Sequence, residues 1–161
     1  MYLLHVCNVA SHTCDVSITG VLKWCVEPTV ESDTDQMSMD LRSTSITAIT
    51  VGALKGVPNV TTLDLSHNVI SIIRLGVFDG LVNLYSLALG NNMITHIEAG
   101  AFLELSNLKL LFLNFNLITV IETGTFQGVS KLESLYVQPT AINPHHLPRA
   151  NVHVKMTIGN K

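Results

Sequence analysis

The sequence contains no uninterrupted apolar run near the ~18 residues needed for a bilayer-spanning helix. Basic residues are also few: 9 Lys and Arg stand against 12 Asp and Glu. The resulting formal net charge of -3 argues against a nucleic-acid partner. Only 13% of the 161 residues are charged while 47% are hydrophobic, which excludes a disordered or low-complexity chain. Catalytic signatures are missing as well. There is no Gly-x-Ser-x-Gly, phosphate-binding loop, dinucleotide fingerprint or His-Glu-x-x-His. His145 and His146 are adjacent, and adjacent side chains rarely face one ion, so no metal site is assigned to them. The acidic stretch Glu31-Ser-Asp33-Thr-Asp35 lacks the glycine and terminal Glu of a dedicated calcium loop and reads as a solvated loop. No enzyme class, metal or cofactor is expected. The opening Met1-Tyr-Leu-Leu-His-Val6 is too short for a complete signal peptide, so a secreted form is expected to have lost its leader already.

The apolar excess must then belong to a core, and self-comparison shows how it is organised. Val60, Leu84, Leu108 and Leu132 stand 24 residues apart. Three and five residues after each come Leu63 and Leu65, Leu87 and Leu89, Leu111 and Leu113, and Leu135 and Val137. Asn68, Asn92 and Asn116 follow at the eighth position, and Gly76, Gly100 and Gly124 at the sixteenth. Phe78, Phe102 and Phe126 take the eighteenth. A weaker copy around Met39-Asp-Leu41 precedes them, so five repeats begin near 36, 60, 84, 108 and 132. The L-x-L pairs alternate as a half-buried strand does. The Asn amide suits backbone groups left unpaired where the chain leaves the strand. The Phe residues fill the core behind the sheet, and no coil buries its apolar side without its neighbours.

These columns resemble the 24-residue leucine-rich repeat of extracellular proteins, as in Toll-like receptor ectodomains, small leucine-rich proteoglycans and variable lymphocyte receptors. The resemblance implies an α/β solenoid: a horseshoe or arc with a parallel sheet on its concave face, a mostly irregular convex side and an N-terminal β-hairpin cap. It also implies a non-enzymatic recognition module of immune type, binding a protein or a microbial surface glycan or lipid through the concave face. A cell-adhesion or matrix protein with a protein partner is the alternative. Residues 1–35 are expected to form the cap, 36–143 the five repeats, and 144–161 an atypical C-terminal cap without cysteines.

Cys14 to Cys25 reads as two short strands around Thr19-Gly20, a hairpin that one disulfide can close. The caps of the family imply that Cys14 and Cys25 pair, which leaves Cys7 free or intermolecular. An odd total of three departs from the family pattern. Such a disulfide belongs to an extracellular setting, secreted or on a cell-surface ectodomain; reduced thiols in an intracellular scaffold are the other reading. At the far end Val152-His-Val154-Lys-Met156-Thr-Ile158 alternates like a last edge strand.

The frame also predicts which residues face away from the core. The middle position of each strand is Asp40, Asp64, Ala88, Phe112 and Tyr136 in turn, with Ser38, Thr62, Ser86, Leu110 and Ser134 before it. Arg42, Ser66, Gly90, Asn114 and Gln138, then Ser43, His67, Asn91, Phe115 and Pro139, are expected to continue the same face. Polar residues gather in the first coils, while Leu110, Phe112, Phe115 and Tyr136 gather in the last, with Tyr85 at their edge. Asp40, Asp64, Tyr85, Leu110, Phe112, Phe115 and Tyr136 are the candidate ligand-binding residues. Outward aromatics are typical interface anchors. Five strands ~4.8 Å apart span only ~20 Å. The footprint of roughly 300 Å² is short of the ~800 Å² per partner of a standard interface. Flanking loops, a homodimer through the aromatic patch or the C-terminal strand, or a repetitive target would supply the remainder. Asn59-Val-Thr61 is a glycosylation candidate at Asn59. Asn91, one residue before the structural Asn92, is expected to tolerate substitution.

Overall fold

Short strands separated by 24 residues can satisfy their backbone only by pairing with the preceding and following coil, and this chain does so. A computed structural model describes residues 5–9, 12–17, 19–26, 37–138 and 153–156. The N-terminal hairpins are β1 (His5–Val9), β2 (His12–Val16) and β3 (Val21–Val26). The solenoid follows with β4 (Met37–Asp40), β5 (Ala48–Ile49), β6 (Val60–Asp64), β7 (Ile72–Ile73), β8 (Ser86–Ala88), β9 (His96–Ile97), β10 (Leu110–Phe112), β11 (Ser134–Val137) and β12 (His153–Met156). The principal sheet is parallel and six-stranded, in the order β12-β11-β10-β8-β6-β4. Met39, Leu63, Leu87, Leu111 and Leu135 lie in register across it, each 24 residues from the last. Val154 joins the row after a step of only 19.

The L-x-L columns are the inner face: Met39, Leu41, Leu63, Leu65, Leu87, Leu89, Leu111, Leu113, Leu135 and Val137 are all fully buried. Behind them Phe78, Phe102 and Phe126 stack in near-parallel planes, with ring centroids 5.9 Å and 6.2 Å apart. On the opposite side β7 and β9 pair as a two-stranded parallel sheet, and the remaining segments are turns. Among the described residues no helix is long and apolar enough to cross a membrane.

Asn68, Asn92 and Asn116 hold the coils together. Each is buried, and each donates from its amide to the carbonyl three residues before it and to one 27 residues before it. Each carbonyl oxygen accepts a backbone N–H from the preceding coil, those of Ile46, Ile70 and Ile94 respectively.

The residue before each of these asparagines, and before Thr44 at the equivalent position of the first coil, departs from the expected geometry. Ser43, His67, Asn91 and Phe115 do not extend the strand face; all four have positive φ, between 54° and 56°. They form the left-handed corner where the chain leaves the sheet. Asn91 is exposed, as the frame requires, but its backbone is one that Asn adopts more readily than most residues. Replacement by Ala, expected from exposure alone to cost little, therefore carries the added cost of a left-handed residue.

The N-terminal sheet has the order β1-β2-β3-β5, and β5, from the first coil, runs parallel to β3. Cap and solenoid therefore share one sheet. A disulfide joins Cys14 to Cys25, both buried. The β2–β3 turn depends on Gly20, at φ 79°, where a Cβ would collide with the Ser45 carbonyl. Glu31, Asp33, Asp35, Pro139, His145 and His146 lie outside the described residues.

Candidate functional site

The outward face of the six-stranded sheet is built by one row of register. Asp40, Asp64, Ala88, Phe112 and Tyr136 lie side by side on five successive strands, and Lys155 of β12 takes the next position in register. Each of the first five is flanked by two inward residues, so packing of the L-x-L columns fixes where their outward side chains stand. The row divides into three zones.

The first zone is charged. Arg42 donates from Nε to Asp40 Oδ1 at 2.9 Å and from its terminal nitrogen to Asp40 Oδ2 at 2.6 Å. Its Nε also lies 3.5 Å from Asp64 Oδ2. One guanidinium thus ties two neighbouring strands. The side-chain hydrogen bonds from Arg42 hold the Asp40 carboxyl below the usual carboxylate range, and the same contact raises the Arg42 pKa. The candidates Asp40 and Asp64 are therefore brought together, but already share a cation. The repeat columns place Arg42 on this face but give no sign that it bridges the two aspartates, because its equivalents Ser66, Gly90, Asn114 and Gln138 are uncharged.

The second zone is low: Ser86, Ala88 and Gly90 carry little side chain. A Cβ at Gly90 would stand 3.2 Å from Asn114 Oδ1, so the neighbouring coil leans over this strand.

The third zone is aromatic. Phe112 and Tyr136 stack with ring centroids 4.5 Å apart and an interplanar angle of 18°. Both are half-buried, as is Leu110. Phe115 is 42% exposed and Tyr85 43% exposed, so each is partly open to solvent. The Lys109 ammonium sits 5.6 Å from the Tyr85 ring centroid and 2.8 Å from Glu133 Oε1. That hydrogen bond from Lys109 to Glu133 is what raises the lysine's pKa. Phe115 combines exposure with a φ of 56°, a conformation bulky residues rarely adopt.

Asn59 is exposed at the entry to β6. On the flank of the solenoid Val69, Met93 and Leu117 form a 24-residue column of exposed apolar side chains, 43%, 52% and 57% accessible. The sequence holds that column, but only burial separates it from the core columns beside it. Among the described residues no group of three or more metal-ligating side chains converges.

Comparison with known proteins agrees with this architecture. The family model for leucine rich repeats matches residues 37–93 and 82–142. A Toll-like receptor, in the crystal structure of the TLR13-ssRNA13 complex, is similar in structure, with a TM-score of 0.54 and 26% identity. The alignment covers 63% of this chain and 17% of that one, so this chain spans about a sixth of that receptor's length. No curated protein matches. A relative solved with single-stranded RNA bears against the exclusion of nucleic acid drawn from net charge. The physical reason is that net charge averages over the whole chain, whereas binding depends on local surface. With the family model spanning residues 37–142 and six parallel strands in register, this chain belongs to the leucine-rich-repeat family.

Proposed function

We propose that the chain is a non-enzymatic, extracellular recognition module of immune type, which binds microbial or other surface ligands on the outward face of its six-stranded sheet. The observation that carries this reading is the Phe112–Tyr136 stack, with Phe115 exposed beside it. A solvated sheet face has no need of clustered aromatics, and rigid aromatic side chains are efficient contacts because little entropy is lost when they are covered. The Cys14–Cys25 disulfide supports an oxidising environment.

The three zones suit a ligand with an apolar group over Phe112 and Tyr136 and a polar end toward Asp40, Arg42 and Asp64. The low strip at Ser86 and Ala88 lets such a ligand lie close to the sheet. A cell-adhesion or matrix role with a protein partner is the second reading, favoured by the spread of the face over six strands. The deciding experiment is a binding screen of microbial glycans, lipids, single-stranded RNA and matrix proteins. It compares the natural chain with the double variant Phe112→Ser and Tyr136→Ser. Loss of a ligand with unchanged melting supports the face as a ligand site, and the identity of that ligand separates the two readings. A shift from dimer to monomer would assign the patch to self-association instead. A large fall in melting temperature without either effect would show that the protein itself covers the patch.

A further inference from the structure

The cap contains an arrangement that ligand binding does not use. β1 pairs antiparallel with β2, and β2 with β3; the register sets Cys7 opposite Cys14 and Cys14 opposite Cys25. The three cysteines thus occupy one row across three adjacent strands. Directly opposed residues of antiparallel strands have Cα atoms ~4.5–5.5 Å apart, within the ~4.4–6.8 Å that disulfides span. Cys14 therefore has two register partners at bridging distance, one of which, Cys25, it is bonded to.

We propose that Cys7 is the exchange partner of the Cys14–Cys25 disulfide. The Cys7 thiolate attacks Sγ of Cys14, the Cys7–Cys14 bond forms, the Cys14–Cys25 bond breaks, and Cys25 leaves as a thiolate. Cys25 then takes up the proton that Cys7 released, so no oxidant or reductant is consumed. The exchange moves the covalent tie from β2–β3 to β1–β2. The reactive thiol moves with it, from β1 at the sheet edge to β3, the strand paired with β5 of the first coil. The odd cysteine is thereby part of the cap's own chemistry, and no second chain is needed to account for it.

Lys23 makes the test direct, because tryptic cleavage after it separates Cys7 and Cys14 from Cys25. The full chain is held at pH 8.5, quenched in acid, labelled with N-ethylmaleimide at low pH, digested and mapped without reduction. The expected result is two populations. One is the 1–23 peptide labelled on Cys7 and bridged to 24–42. The other is the 1–23 peptide closed internally beside a free 24–42 peptide labelled on Cys25. Label on Cys7 alone, or a Cys7–Cys7 link between chains, overturns the proposal. As a second arm, Cys25→Ser in oxidised glutathione should close Cys7 to Cys14, seen as a loss of two hydrogens in the 1–23 peptide. Cys14 capped by glutathione or bridged to another chain would overturn it. Should that variant fail to fold, the labelling pattern of the natural chain still decides.

Discussion

The Asn92 carbonyl oxygen accepts the Ile70 backbone N–H at 3.0 Å, although the two residues lie 22 positions apart. Its amide meanwhile donates to Leu65 and Leu89. Asn92→Ala should therefore leave one buried donor and two buried acceptors short of a partner, and cost about 3 kcal/mol. Asn91 next to it acts through its backbone: Asn91→Gly should be nearly neutral, whereas Asn91→Ala should cost about 1 kcal/mol for a left-handed residue. Chemical denaturation of the three variants checks the ranking. Equal losses at the two positions would contradict the frame.

What the sequence shows and conceals follows from this pair. Leu, Asn, Gly and Phe columns are legible because each coil asks the same chemistry of the same position. The corner before Thr44, Asn68, Asn92 and Asn116 is not, because Ser43, His67, Asn91 and Phe115 share a conformation and no side-chain chemistry. The outward face was legible as a list of residues. The pairing of Asp40 and Asp64 through Arg42 was not, since it occurs once and leaves no period. The stacking of Phe112 on Tyr136 follows from their shared register, which the 24-residue spacing already implied.

Thr125 offers a test of opposite sign. It is fully buried, and its hydroxyl has no hydrogen-bond partner among the described residues. The equivalent positions are Ala53, Val77 and Ala101. Thr125→Val keeps the shape and removes the unpaired hydroxyl, so it should stabilise by about 1 kcal/mol. Thermal unfolding that shows a loss instead would mean the hydroxyl is satisfied.

Gly124 and Gly128 separate conformational cost from collision. Both have positive φ, 86° and 95°. A Cβ on Gly124 would meet only Ala99 Cβ at 3.6 Å, but one on Gly128 would fall on the Leu103 carbonyl. Gly124→Ala should cost about 1 kcal/mol. Gly128→Ala should cost several times more, because backbone must move. Comparable melting temperatures for the two variants would refute the close approach at Leu103.

The Asp40 carboxyl should titrate below the usual carboxylate range, and Arg42→Gln should return it toward that range. Because its folded pKa is lowered, the pair's stabilisation is present above the ordinary carboxylate value. It is lost as pH falls through the depressed one. Both side chains are more than one-third exposed, so solvent and salt screen the contact and the stability effect should be slight. A carboxyl-detected NMR titration of Asp40 in both proteins reads the shift. An unshifted Asp40 in the natural chain would mean the guanidinium bond is not held in solution.

Phe115 is where conformation and binding are in tension. Its φ of 56° carries the cost of a left-handed bulky residue, about 1–2 kcal/mol, and its ring is 42% exposed. Strained residues of this kind persist where the side chain has a use, and the Phe112–Tyr136 stack is on the adjoining strands. Phe115→Asn relieves the backbone, since Asn adopts this conformation readily, and gives up the partial burial of the ring. The two effects nearly cancel, so stability should hold within about 1 kcal/mol. Ligand affinity should fall by tenfold or more if the ring is an anchor. Denaturation and binding measured on the same preparation distinguish the cases. A fall in stability of more than about 2 kcal/mol would show that Phe115 shields the end of the core. Unchanged affinity for a ligand that the Phe112→Ser and Tyr136→Ser variant loses would place the binding surface on the strands and leave the corner out of it.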